Sequence, residues 1–248
     1  MNFLNDLLFF IFPKSCGICG KIGESYICKQ CKNKLEQSSL YLNKIEDYSK
    51  DRTKYFDEYA YIFQYSSIIR EKILQYKFKD KAYLARMFSE FFVKNKKICG
   101  FLKKYDIIIP VPMTNKKINK RGYNQTRIIS KIIADDNHNN LLLKDDILIK
   151  YKNNSVQSSL NKKQRLKNVQ DVFKLKNGKV IKEKNILILD DIYTTGATCN
   201  ECARILQQAE PNKIGIITIA KDCGKIQAKN NRKEWNNGRF SRKYIRLY

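Results

Sequence analysis

Asp190 and Asp191 stand side by side between an aliphatic run, Ile186 to Leu189, and a small, hydroxyl-rich stretch, Tyr193-Thr194-Thr195-Gly196-Ala197-Thr198. Thr194, Thr195 and Thr198 bring hydroxyl donors. Gly196, with no Cβ, lets the backbone approach an anion closely. A helix opening at this point would present its first amides at the positive end of its dipole, where a phosphate is favoured. Two carboxylates repel a phosphate, but they suit what lies beside one: sugar hydroxyls or a Mg²⁺ ion. Together these residues describe a 5-phosphoribose site, with Thr194, Thr195, Gly196, Ala197 and Thr198 on the phosphate and Asp190 and Asp191 on the ribose. The plainer reading, a solvated turn after a strand, accounts for the acids alone and not for their flanks.

A second group of residues suits a second anion. Lys116, Lys117, Lys120, Arg121, Arg127 and Lys131 form a basic run with no acid among them, directly after the aliphatic stretch Tyr105–Val111. A loop there can hold pyrophosphate, with Lys117 and Arg121 as its ligands and Mg²⁺ as companion. The alternative is a solvated or DNA-facing surface. A third group is Cys16, Cys19, Cys28 and Cys31, two CxxC pairs whose turns aim four thiolates at one ion. That spacing favours a closed structural Zn²⁺ site over disulfides or a redox pair. His138 is the only histidine and sits in a polar turn, which removes Ser-His-Asp and Cys-His catalysis and any His-ligated metal.

These groups need elements to hold them. Ile186–Leu189 reads as a buried parallel strand, and Ala203, Leu206 and Ala209 mark the helix after it. Further strands are expected at 59–65, 105–111 and 213–220, with shorter strand signals at 141–143 and 147–149. Helices are expected at 68–77, around Leu84, Met87, Phe88 and Phe91, and around Ile128, Ile129, Ile132 and Ile133. The polar stretch 152–169 is a candidate lid. The fold class is α/β, a parallel sheet flanked by helices with ligands at the strands' C-terminal ends, preceded by a small four-cysteine zinc-knuckle domain. The expected division is an N-terminal helix and knuckle over 1–37, a linker over 38–54, the main domain over 55–224 and a basic, aromatic tail over 225–248.

Lysine and arginine number 49 against 24 acids, a formal charge of +25. So lopsided a balance points to an anionic partner beyond one small substrate. The tail interleaves Lys225, Lys229, Arg232, Lys233, Arg239, Arg242, Lys243 and Arg246 with Trp235, Phe240, Tyr244 and Tyr248. Cations beside aromatic faces suit single-stranded DNA, the alternative being a frayed, solvated end. No apolar run is long enough to span a membrane, and the first residues lack a basic region and cleavage site, so a cytoplasmic protein is expected.

The stretch Ile186 to Thr198 resembles the diphosphate-sugar (PRPP) loop of type I phosphoribosyltransferases. The CxxC-x8-CxxC pattern, Lys77-Phe78, Pro110-Val111-Pro112, Arg121-Gly122-Tyr123-Asn124-Gln125, Gln157 with Arg165 and Asn168, and Asp190 to Thr198 follow in the order of the ComF family of phosphoribosyltransferase-like proteins. The resemblance, which spans roughly residues 7–220, implies a zinc knuckle followed by a type I phosphoribosyltransferase fold. It also implies PRPP as ligand and a role in DNA uptake during natural transformation, beside other proteins of the competence machinery. The rival expectation is a base-salvage phosphoribosyltransferase making nucleotides from PRPP.

Overall fold

The computed structural model describes residues 14–79, 81–136, 140–152 and 171–224. The expected N-terminal helix, His138, nearly all of the candidate lid and the basic tail lie outside those residues.

The core of the molecule is a six-stranded sheet in the order β1-β2-β8-β7-β3-β4. Its strands are β1 (Tyr41–Asp47), β2 (Glu58–Gln64), β3 (Ile107–Pro110), β4 (Leu142–Leu143), β7 (Asn185–Tyr193) and β8 (Lys213–Lys221). All neighbours run parallel except β1, which pairs antiparallel with β2 at one edge. The central strands β7 and β8 are aliphatic on both sides because both of their faces are covered. Each buried Ile or Leu there contributes roughly 1.5–3 kcal/mol by leaving water.

One face of the sheet carries α2 (Ser67–Phe78), α3 (Leu84–Val93), α4 (Lys96–Leu102) and α6 (Gln125–Ala134). Ile69, Ile73 and Tyr76 on α2, and Leu84, Met87, Phe88 and Phe91 on α3, fill that core, as the helical spacing predicted. The other face carries α7 (Ala197–Gln207), a 3₁₀ turn (Gly178–Ile181) and a separate hairpin of β5 (Leu148–Lys150) with β6 (Phe173–Leu175).

Residues 38–54, expected as a linker, contain β1. Its side chains are half-buried because it is an edge strand, so its sequence carries little apolar signal. The basic stretch expected as a loop holds a short helix, α5 (Asn115–Arg121), which has no buried residue and hence no apolar stripe to betray it. The two strand signals at 141–143 and 147–149 become β4 of the main sheet and β5 of the hairpin.

The cysteine region docks on the main domain. After Cys28 the chain turns into α1 (Lys29–Glu36), and Cys16, Ile27, Cys31 and Leu35 join the same core as α2 and α3. Gly17 sits so close to α3 that a Cβ there would meet Met87 Sδ at 2.6 Å and Leu84 Cδ2 at 2.7 Å. Above this contact the Tyr26 amide donates to Glu90 Oε1 at 3.3 Å, and the Arg86 guanidinium lies 5.6 Å from the Tyr26 ring.

Candidate functional site

The acid pair sits within β7, not beyond its end. The strand continues past Leu189 to Tyr193, because its parallel pairing with β8 persists through Asp190, Ile192 and Tyr193. Side chains alternate along a strand. Ile186 and Ile188 face the α7 layer, and Leu187 and Leu189 face the α2–α3 layer. Asp190 and Asp191 therefore point to opposite sides of the sheet. A ribose lying across this strand end would meet one carboxylate from each layer.

Their surroundings differ accordingly. Asp191 is paired with Lys77, near the end of α2, at 2.8 Å. On the other side Asp190 accepts the Asp191 amide at 2.8 Å, and the Cys199 thiol lies 3.8 Å from its second oxygen. Burial pushes the Asp190 carboxyl up to about 7, aided by the charge of Asp191 and opposed by Lys77 and Lys150. One proton more or less on this pair therefore costs little near neutrality.

Beyond the strand, Tyr193 leads into Gly196, which has φ 73° and is the N-cap of α7. With no side chain, Gly196 caps none of the first-turn amides, so ligand oxygens can approach them. The Asn200 amide already returns to Gly196 O at 2.8 Å, and Ala197 N–H donates to Thr195 Oγ1 at 3.4 Å. The loop rests on a stack of tyrosines. Tyr193 lies 4.3 Å from Tyr59, and Tyr59 lies 5.0 Å from Tyr61, both pairs 24° from parallel. Lys221 lies within 6.0 Å of all three rings and is held by both oxygens of Glu46 at 2.7 Å. Tyr48 and Tyr61 donate to the same carboxylate at 2.7 and 2.8 Å.

Lys117 and Arg121 lie four residues apart on α5 and so share a face. The Arg121 guanidinium stacks 4.6 Å from the Phe78 ring and donates to Gln125 Oε1 at 3.3 Å. Burial lowers the pKa of both, Lys117 feels Arg121 and Lys77 as well, and Asp191 steadies Arg121. Arg121 thus lies near enough to Asp191 to feel its charge, and Lys117 sits beside Arg121 on the same helix.

Two cations that sequence spacing did not single out for the site join them, Lys77 and Lys150. Lys77 is set between aromatic residues, Tyr76 and Phe78, and Lys150 closes the apolar run Ile147 to Ile149. Those flanks are the only local signal, and a chain with 49 basic residues hides it. Lys77, Lys150 and Arg121 thus act on the two carboxylates, and Lys117 lies one helical turn before Arg121.

The cysteines form the other candidate centre. The sulfurs of Cys16, Cys19, Cys28 and Cys31 all lie within 4.8 Å of one another. A hydrogen bond from Cys31 holds Cys16 down to about 4, and Cys16 in return pushes Cys31 up. Four close thiols cannot all ionise unless a cation shares their charge. Four soft donors fit Zn²⁺, which would fasten this region and supply no chemistry at the acid pair.

A model of the phosphoribosyl transferase domain matches residues 118–240, a span that includes β7, the loop and α7. Competence protein ComFC of Bacillus subtilis (strain 168) is 23% identical over 209 residues, covering 83% of this chain and 77% of its own. Competence protein F of Haemophilus influenzae is 26% identical over 214 residues, covering 83% and 84%. ComFC of Streptococcus pneumoniae is 28% identical over 160 residues, covering 64% and 66%. The chain is similar to these competence proteins over most of its length.

It has a mixed α/β domain that matches the phosphoribosyl transferase family, behind a four-cysteine cluster able to hold a metal. No helix among the described residues is long and apolar enough to cross a membrane.

Proposed function

We propose that this chain binds PRPP at the C-terminal edge of β7. The observation that supports it is the acid pair itself, with Asp191 bonded to Lys77, Asp190 feeling the charge of Lys150 and Arg121 that of Asp191, immediately before the Gly196-capped α7. Thr194 to Thr198 receive the 5-phosphate. Asp190 and Asp191 take the ribose hydroxyls, one from each layer, and Lys117 and Arg121 take the pyrophosphate. Lys77 already engages Asp191, so Mg²⁺ would enter with the pyrophosphate and would not be held in advance by that acid. The ion would spread the charge that develops on departing pyrophosphate. The residues' own work is placement and electrostatic stabilisation, because transfer from PRPP passes through a cationic sugar that needs no protein nucleophile. The chain would act in transferring phosphoribose, or in sensing its donor, through this site.

Calorimetry with PRPP and Mg²⁺ tests the reading. Saturable binding is expected for the wild type, with a loss of at least about ten-fold in Asp191→Ala, which also leaves Lys77 unpaired. Equal affinity in the variant sinks the ribose assignment.

The wider role we infer is in DNA uptake, in company with other competence proteins, because the three relatives are named competence proteins. A charge of +25 supports contact with single-stranded DNA, to which the tail at 225–248 would contribute phosphate contacts and stacking faces. Affinity for an unstructured oligonucleotide is expected to fall about 10³-fold or more between 50 and 200 mM salt if at least six phosphates are neutralised. Removal of 225–248 should make that fall shallower. Binding indifferent to salt argues against the contact.

A further inference from the structure

Phe78, the last residue of α2, is 63% exposed, so its ring adds little to the core. What that ring does meet is the Arg121 guanidinium, whose Cζ lies 4.6 Å from its centroid. The other grip on the guanidinium is Gln125 Oε1, at 3.3 Å, and Gln125 is buried. Nothing in α5 secures Arg121 from within, because that helix has seven residues and none of them is buried. Arg121 is held from α2 and α6 instead.

The end of α2 is itself tied to the turn that follows Arg121. Gly122, at φ 78°, ends α5. Next to it, Tyr123 Oη donates to Tyr76 O at 2.5 Å, and Tyr76 Oη donates in return to Gln125 O at 2.8 Å. The two rings lie 5.8 Å apart. Tyr76, Lys77 and Phe78 follow one another, about 100° apart around a helix of 3.6 residues per turn. They therefore reach three ways: Tyr76 into the core, Lys77 to Asp191 at 2.8 Å, and Phe78 outward to Arg121. One helix end thus fixes a carboxylate of the acid pair and a cation that feels its charge.

We propose that Phe78 is a positioning residue that holds Arg121 ready for the pyrophosphate group. This inference rests on the PRPP reading above and adds to it a side chain that acts through another and touches no ligand atom. An arginine side chain has much rotamer freedom, and ordering it at the moment of binding costs affinity. A guanidinium already settled on a ring has lost that freedom beforehand. The planar, weakly hydrated guanidinium suits an aromatic face, whereas an aliphatic side chain of similar size would cover it without attracting it. One of its five N–H donors goes to Gln125, and the fork offers the others to phosphate oxygens.

The test uses the full-length protein titrated separately with sodium pyrophosphate and with ribose 5-phosphate. Phe78→Leu is expected to weaken pyrophosphate about three- to ten-fold while ribose 5-phosphate stays within about two-fold. Its thermal midpoint should stay within about 2 °C of wild type, because the ring is mostly in water. Phe78→Trp, which restores an aromatic face, should bind pyrophosphate within about two-fold of wild type. In an Arg121→Lys background, Phe78→Leu should cost less than about two-fold more, since the ring then has no guanidinium to orient. Unchanged pyrophosphate binding in Phe78→Leu, with a wild type that binds PRPP, overturns this inference and leaves the PRPP reading standing. An equal loss of pyrophosphate and ribose 5-phosphate, or the same loss with lysine at 121, makes the ring ordinary packing and overturns it too. A wild type that binds neither pyrophosphate nor ribose 5-phosphate overturns both.

Discussion

Gly196→Ala is expected to reduce ribose 5-phosphate and PRPP binding at least about 100-fold and to lower the stability of the fold. Two independent costs meet at this residue. Its φ of 73° lies in the left-handed region, where an alanine loses roughly 1–2 kcal/mol. Its missing Cβ would sit 2.1 Å from Tyr193 Oη and 2.3 Å from Cζ. The Tyr193 ring has nowhere to go, because it is buried and stacked on Tyr59, with Lys221 6.0 Å from its own ring centre. Relief must come from the backbone of the loop itself, and a displacement of about 1 Å there removes the amides from the phosphate's reach. Overpacking of this kind costs about 1–3 kcal/mol in stability. Thermal unfolding and a ribose 5-phosphate titration measure the two effects. A variant that binds within about three-fold of wild type places the phosphate elsewhere.

Asp190→Asn should stabilise the protein above neutral pH while weakening its hold on PRPP. The carboxyl's ordinary value is 3.8, and the fold lifts it to about 7. A raised value means the folded chain prefers the protonated form. Its favourable contribution is complete below pH 3.8 and is lost progressively as pH rises through about 7. At 1.36 kcal/mol per unit the full span approaches about 4 kcal/mol, and partial exposure of the pair to water reduces it to roughly 1–3 kcal/mol. Asparagine matches the shape of the acid and has no proton to lose. The difference in unfolding free energy, variant minus wild type, should therefore climb between pH 4 and pH 8. Carboxylates held low in the fold, such as Glu46 and Glu58, titrate equally in both proteins and cancel. PRPP affinity at pH 8 should fall about ten-fold, because a neutral amide loses the charge-assisted bond to a ribose hydroxyl. A flat difference would show that Asp190 ionises as freely as an exposed acid.

The sequence made the centre of the fold legible and its margins less so. Ile186 to Leu189 and Lys213–Lys221 declare themselves because strands covered on both faces must be aliphatic throughout. The loop from Tyr193 to Thr198 was legible as the turn into a helix, and Gly196 does take the left-handed conformation that opens α7. The sequence reading stopped β7 at the first acid, and so it missed that Asp190 and Asp191 face opposite layers. Polar residues at a strand's end look like a turn when its partner β8 is not in view. β1 and α5 escaped for a related reason: neither has a fully buried face, so neither leaves a periodic trace. Lys77 and Lys150 were hidden by abundance, and only tertiary structure sets those two apart from the other basic residues.

Gly17, seated against Leu84 and Met87, makes the cysteine-rich region a plug and not an appendage. Cys16, Ile27, Cys31 and Leu35 share one apolar cluster with Phe88, Phe91 and the central sheet. A fragment cut to begin at residue 38 would leave that greasy socket open to solvent and prone to self-association. Recombinant production of the sheet domain on its own is a poor route to a soluble sample. A metal held by the four cysteines would brace the same face from within, and a chelator would then loosen it.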